Sequence, residues 1–143
     1  MKQLSKTIIL TIVLFVFAVN AFAQDGQAAP DKILGLYWSP KKDAKIEMYK
    51  KGDRYFGRTV WALHPRKDTE NPDVRLRSRA LVGLDLLTSF SFEEGIYTNG
   101  QVYDPESGKT YSCKISFSGS NIKVRGYVGF SLFGRTELFE RIP

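Results

Sequence analysis

The sequence predicts an all-β fold, an antiparallel up-and-down barrel of about eight strands. Three observations predict it. Apolar and polar residues alternate with a period of two through most apolar stretches. Clusters of Gly, Pro, Asn, Asp and Ser break those stretches at short intervals. Beyond residue 23 no long segment carries the 3.6-residue period of an amphipathic helix. A chain of 143 residues holds one domain. With 43% apolar and 13% aromatic residues it is too rich in core formers to stay disordered. Closure into a barrel removes the open edges that so aromatic a sheet would expose.

The N-terminus stands apart. Lys2 and Lys6 precede the apolar run Ile8 to Val19, and Ala21-Phe22-Ala23 places small residues where a signal peptidase reads them. The run falls short of the roughly 20 residues that span a bilayer. The expectation is a secretory signal peptide over 1–23, cut after Ala23, a flexible leader over 24–32 and a single barrel domain over 33–143. The product is then secreted or periplasmic, with no stable membrane span after cleavage and nucleic acid outside its expected partners. Cleavage removes two lysines, lowering the formal +6 charge by two.

The strands follow in order. Ile33 to Trp38 is a short apolar run closed by Ser39-Pro40. Lys45 to Tyr49 alternates, with Ile46 and Met48 on one face. Lys51-Gly52-Asp53 is a turn, and Arg54 to Leu63 is rich in β-branched and aromatic residues. His64 to Arg79 is the one long polar segment. Ala80 to Phe92 reads as a long strand with Val82, Leu84, Leu86, Phe90 and Phe92 aligned; a short helix over Leu81 to Leu87 is the alternative. Ile96 to Tyr103 and Lys109 to Phe117 flank Asp104-Pro105-Glu106-Ser107-Gly108, a strong hairpin signal. Cys113 shares a face with Tyr111, Ile115 and Phe117, which places it in the core. Ile122 to Val128 aligns Ile122, Val124 and Val128; Gly129 to Gly134 is a Gly- and Phe-rich turn; Arg135 to Ile142 closes the sheet.

Several ordered blocks carry a family resemblance. They are Asn71-Pro72-Asp73 with Leu76, Arg77 and Arg79; Gly83-Leu84; Tyr103-Asp104-Pro105 with Gly108, Lys109 and Tyr111; Val124 to Gly129; and Leu132 to Thr136. Together they resemble the bacterial exported family called domain of unknown function 2147, over nearly the whole mature chain. The resemblance implies a lipocalin-like, or calycin-like, barrel with no established activity. It also implies a Gly-x-Trp on the first strand covered by a basic residue of the last. Gly35-Leu36-Tyr37-Trp38 has one residue too many for that motif, but Arg135 or Arg141 lying over Trp38 would close one end of the barrel.

Composition restricts the chemistry. One cysteine makes no internal disulfide, and one histidine does not supply a common catalytic metal site. His64 begins a loop with no nucleophile beside it, and Asp68, Glu70 and Asp73 lack the glycine and distal glutamate of a calcium loop. Asn71-Pro72-Asp73 reads as an Asx-type turn. No cofactor, metal or catalytic residue is expected. The arginines are the distinctive feature, since a guanidinium fork suits a carboxylate or phosphate. The candidate ligand-binding residues are Arg77, Arg79, Arg125, Tyr127, Trp61 and Tyr111; Trp38, Arg135, Arg141, Asn71 and Asp73 are structural candidates. The competing reading has the arginines pair with Asp68, Asp73, Asp85 or Asp104 and pin the long loop. Two functions follow: non-enzymatic binding of a small apolar, amphipathic or anionic molecule, or a filled barrel that acts in the cell envelope through the Arg-rich loop 64–79.

Overall fold

A computed structural model describes residues 29–143, and the expected signal peptide lies outside them. Half-buried strands need period-two alternation, and the alternating stretches form eight of them. These are β1 (Gly35–Trp38), β2 (Ala44–Lys51), β3 (Arg54–Ala62), β4 (Asp85–Glu93), β5 (Ile96–Asp104), β6 (Lys109–Ser118), β7 (Asn121–Tyr127) and β8 (Arg135–Arg141). Each pairs antiparallel with the next, and β8 returns to β1 through Tyr37↔Arg141 and Trp38↔Glu140, so the barrel closes. Among the described residues no helix is long and apolar enough to cross a membrane.

One end of the barrel is plugged. A 3-10 turn at Pro30–Ile33 lies across it, and Ile33 is fully buried. Three tyrosines hold that turn from inside. Tyr37 donates to Ile33 O at 2.9 Å, Tyr97 to Pro30 O at 2.5 Å, and Tyr55 to the Asp31 carboxylate at 2.6 Å. Tyr97 packs edge-on against Tyr55 and Phe117 and tilted against Phe92. Burial raises the pKa of the Tyr97 hydroxyl far above its usual value, so it stays a donor.

Arg141 covers this end. Its guanidinium donates to Lys32 O, to Leu34 O at 3.0 Å and to the Tyr37 hydroxyl, and it lies 4.8 Å from the Tyr37 ring centroid. The expected partner, Trp38, is elsewhere. Trp38 points outward, edge-on to Trp61, with Lys45 over its ring. Arg135 is at the opposite end of its strand, exposed and paired with Glu137. The lid therefore uses Gly35-x-Tyr37, which restores the glycine-to-aromatic spacing that counting to Trp38 had broken. A side chain at Gly35 would lie 2.7 Å from an Arg141 nitrogen.

The barrel centre is solid. Met48, Leu87, Phe90, Cys113, Ile115 and Val124 fill it. The expected alignment of β4 is corrected here. The strand starts at Asp85, with residues 81–84 in a turn, and it does not keep one phase. Gly57↔Leu87 is followed by Arg58↔Asp85, so β4 carries an extra residue there, and Ser89 has φ 61°. These bulges turn Leu87 and Phe90 inward from positions of opposite parity. Val128 is a second correction: it is in phase with Ile122 and Val124, but β7 has ended and it is 74% exposed.

Cys113 is completely buried, and burial pushes its thiol up to about 12. Ellman's reagent is expected to leave it unlabelled in native protein and to label it stoichiometrically in denaturant. Rapid native labelling would overturn its placement in the core.

Candidate functional site

The other end of the barrel is its mouth, and segment 63–84 folds over it. This segment is a wide hairpin. Asp68 N–H donates to Arg79 O at 3.0 Å and Leu81 N–H to Arg66 O at 3.0 Å. Asp68 fixes it to the barrel wall. Its side chain is fully buried and accepts from Tyr103 of β5 at 2.5 Å, from Asn71 at 2.8 Å and from Arg79 at 2.8–2.9 Å. Burial alone pushes this carboxyl up, but the donors Tyr103, Asn71 and Arg79, with the Arg79 charge, outweigh it and leave the pKa below the usual carboxylate value. Gly108 completes the seam. At φ 70°, its missing side chain would lie 1.9 Å from Glu70 O, so the β5–β6 turn meets the segment backbone to backbone.

Pinned this way, the segment roofs a cavity of about 270 Å³. Ala44, Ala62, Leu81 and Leu86 supply apolar lining, and Asp43, His64, Arg66 and Glu106 supply polar groups. Glu106 sits between Lys41, at 3.3 Å, and Arg66, at 3.6 Å. Thr59 also lines the cavity, on the inward face that Tyr55 and Gly57 occupy further along β3. It is 4% exposed. Its backbone is paired, N–H to Leu84 O at 3.0 Å and C=O to Gly83 N at 2.6 Å. Among the described residues its hydroxyl oxygen has no hydrogen-bond partner.

A second, polar hollow of about 330 Å³ lies outside the barrel, between segment 71–79 and the outer faces of β4 to β6. Asp85 on its margin accepts from Arg58 at 3.1 Å and from Tyr49 at 2.9–3.0 Å.

The candidate ligand-binding residues do not converge. Arg79 holds Asp68 on the outer wall, and Arg77 donates to Asn71 O at 2.8 Å. Arg125 faces outward and holds the β7–β8 loop through Ser131 O, Leu132 O and Thr136. Tyr127 lies near Lys114, and Trp61 is on the outer surface against Trp38. Only Tyr111 has inward parity, next to Gly126. The turn candidates do build local structure: Asn71 Oδ1 accepts from Asp73 N–H at 2.8 Å, and Asp73 accepts from the backbone and guanidinium of Arg75. Among the described residues no group of three His, Cys, Asp or Glu is placed to hold a metal.

The mouth residues Thr59, Leu81 and Leu86 were not among the candidates. Thr59 was legible as a residue in phase with Tyr55 and Gly57 on β3. Leu81 was not, because its burial depends on how the long segment folds back.

A family model described as an uncharacterized protein conserved in bacteria, DUF2147, matches residues 35–141, from the first residue of β1 to the last of β8. The chain belongs to the DUF2147 family. This DUF2147 barrel is also similar in structure to a solved chain titled "Protein HP1028 from the human pathogen Helicobacter pylori belongs to the lipocalin family". The match has a TM-score of 0.70 at 20% identity and covers 78% of this chain and 83% of that one, a likeness of fold. None of the curated proteins matches.

Proposed function

We propose that the protein is a non-enzymatic binding module that holds a small amphipathic molecule at the barrel mouth. One observation carries this reading: a cavity of about 270 Å³ at the mouth whose wall combines apolar Ala44, Ala62, Leu81 and Leu86 with polar His64, Arg66 and Glu106. The size of the cavity selects a compact ligand. About 270 Å³ falls just below the roughly 300–1,000 Å³ usual for small-molecule sites. Phe90, Met48 and Ile115 fill the space a long acyl chain would need. A lipocalin-like fold supports the class of function without naming the ligand. The envelope alternative through loop 64–79 draws less support, because Arg66, Arg75, Arg77 and Arg79 each already hold an internal acceptor.

Native mass spectrometry of protein from its own host is expected to find a small co-purifying mass. Leu81→Trp, which would fill the cavity, is expected to lose that mass. Thr59→Val is expected to raise the unfolding free energy of ligand-free protein by about 1 kcal/mol, since it replaces an unpaired hydroxyl with a methyl group. Wild-type protein that is always empty, or a Leu81→Trp protein that keeps the adduct, would sink the reading.

We infer export as well, supported by Lys2, Lys6, the apolar run Ile8 to Val19 and Ala21-Phe22-Ala23. Intact mass of the host-purified chain tests it; a mass beginning at Gln24 is expected, and one retaining residues 1–23 would count against export.

A further inference from the structure

The loop joining β7 and β8 carries Val128, Phe130, Leu132 and Phe133, which are 74%, 75%, 78% and 78% exposed. Soluble surfaces scatter single apolar side chains, but four large ones within six residues are a patch that asks for a partner. The backbone that presents them is held in place. Ser131–Phe133 forms a 3-10 turn, with Phe133 N–H donating to Phe130 O at 3.2 Å. Arg125 donates to Ser131 O at 2.6 Å and to Leu132 O at 3.1 Å from the strand beneath. At Gly134 a side chain would lie 2.5 Å from Gly126 O, so the loop is drawn tight against the end of β7. Its polar atoms are used internally and its apolar side chains point away.

The surroundings are cationic. The three strands β6 to β8 carry Lys109, Lys114, Lys123, Arg125, Arg135 and Arg141 against Glu137 and Glu140; Arg135 pairs Glu137 at 2.7 Å, and Lys109 stands opposite Asp104 of β5. Lys114 and Arg125 are register partners, as are Lys123 and Leu138, which puts Lys114, Lys123 and Arg125 on the outer wall with Leu138. Phe and Leu at a tip with Lys and Arg around it match the layered chemistry of a bilayer interface, with acyl chains below and anionic headgroups above.

We propose that the 128–133 loop docks the barrel onto a lipid surface bearing anionic headgroups, with Phe130, Leu132 and Phe133 inserted at the interface. The docking is peripheral and does not depend on the mouth cavity. It would turn the mouth end of the barrel toward the bilayer, since this loop lies at the same end.

The test is co-sedimentation of the chain beginning at Gln24, within which the closed barrel lies entirely. The vesicles are phosphatidylglycerol/phosphatidylethanolamine, with phosphatidylcholine vesicles for comparison. The wild type is expected to bind the anionic vesicles and to be released by salt. Phe130→Ser/Phe133→Ser is expected to weaken binding at least about a hundredfold, the lower end of what losing the burial of two aromatic side chains removes. Lys114→Gln/Lys123→Gln is expected to weaken binding at low salt only, and Val74→Ser, another exposed apolar position, to leave it unchanged. Unaltered thermal transitions show that each variant folds. A wild type that stays in solution would overturn the proposal, as would a double serine variant that sediments like the wild type. So would a concentration-dependent dimer that this variant abolishes without any vesicle binding, which would make the loop a contact between copies.

Discussion

Phe90→Ala is expected to lower the unfolding free energy by about 3–5 kcal/mol, the range for deleting a fully buried aromatic side chain. The upper part of that range applies because of what lies opposite. Phe90 is 0% exposed, and its ring covers Gly100 of β5 so closely that a Cβ there would lie 2.3 Å from it. The ring fills the volume of two side chains. Truncation leaves alanine facing glycine, and the closed sheet cannot collapse into the gap. Urea unfolding of the two proteins measures the difference; a loss below about 1.5 kcal/mol would show the centre to be looser than the structure has it. Gly100→Ala makes the reciprocal case, destabilising by overfilling the same place.

Asp68→Ala is expected to cost about 3 kcal/mol at neutral pH. The loss is larger than for a surface ion pair, because the carboxylate is buried and its removal leaves Tyr103, Asn71 and Arg79 short of an acceptor. The pH dependence has a definite sign. The folded-state pKa of Asp68 lies below its unfolded value. Its contribution is therefore complete above the ordinary carboxylate pKa of about 4 and fades as pH falls through the lowered folded value. Asp68→Asn should be less stable than wild type at pH 7, with the gap narrowing toward pH 3. A gap of constant size would mean that the charge of Asp68 plays no part. The cavity roof is built on this anchor, so loosening of Leu81 and Arg66, visible as faster amide exchange in 64–81, should accompany the loss.

Most of the barrel was legible because burial of one face imprints a period of two, and a one-residue slip would expose every core side chain. Ile46 with Met48 and Cys113 with Ile115 are of this kind. The failures share one cause. Alternation predicts a face only while the backbone stays regular. The bulges in β4 brought Leu87 inward out of phase with Phe90, which alternation had placed on the apolar face, and the end of β7 left Val128 with the right parity but no barrel around it. The arginines misled for another reason. A guanidinium that binds a ligand and one that holds its own loop have the same sequence signal, and only tertiary contacts distinguish Arg79 on Asp68 from a free anion site. Thr59 was the converse: its inward position was legible from its phase with Tyr55 and Gly57, and only the folded chain shows its hydroxyl unpaired among the described residues.

The lid at the plugged end has a kinetic corollary. Arg141 reaches Leu34 O across 107 positions of sequence, and Tyr37 pairs with the same arginine. The first strand of the barrel is thus secured by the last, β8, and closure waits until β8 has been made. Contacts this distant in sequence carry a large loop-closure entropy, which places folding in the millisecond-to-second range of β-barrels. Chains ending before Arg135 should lose the cooperative thermal transition, because without β8 the ring stays open between β7 and β1 and Arg141 no longer covers the plugged end.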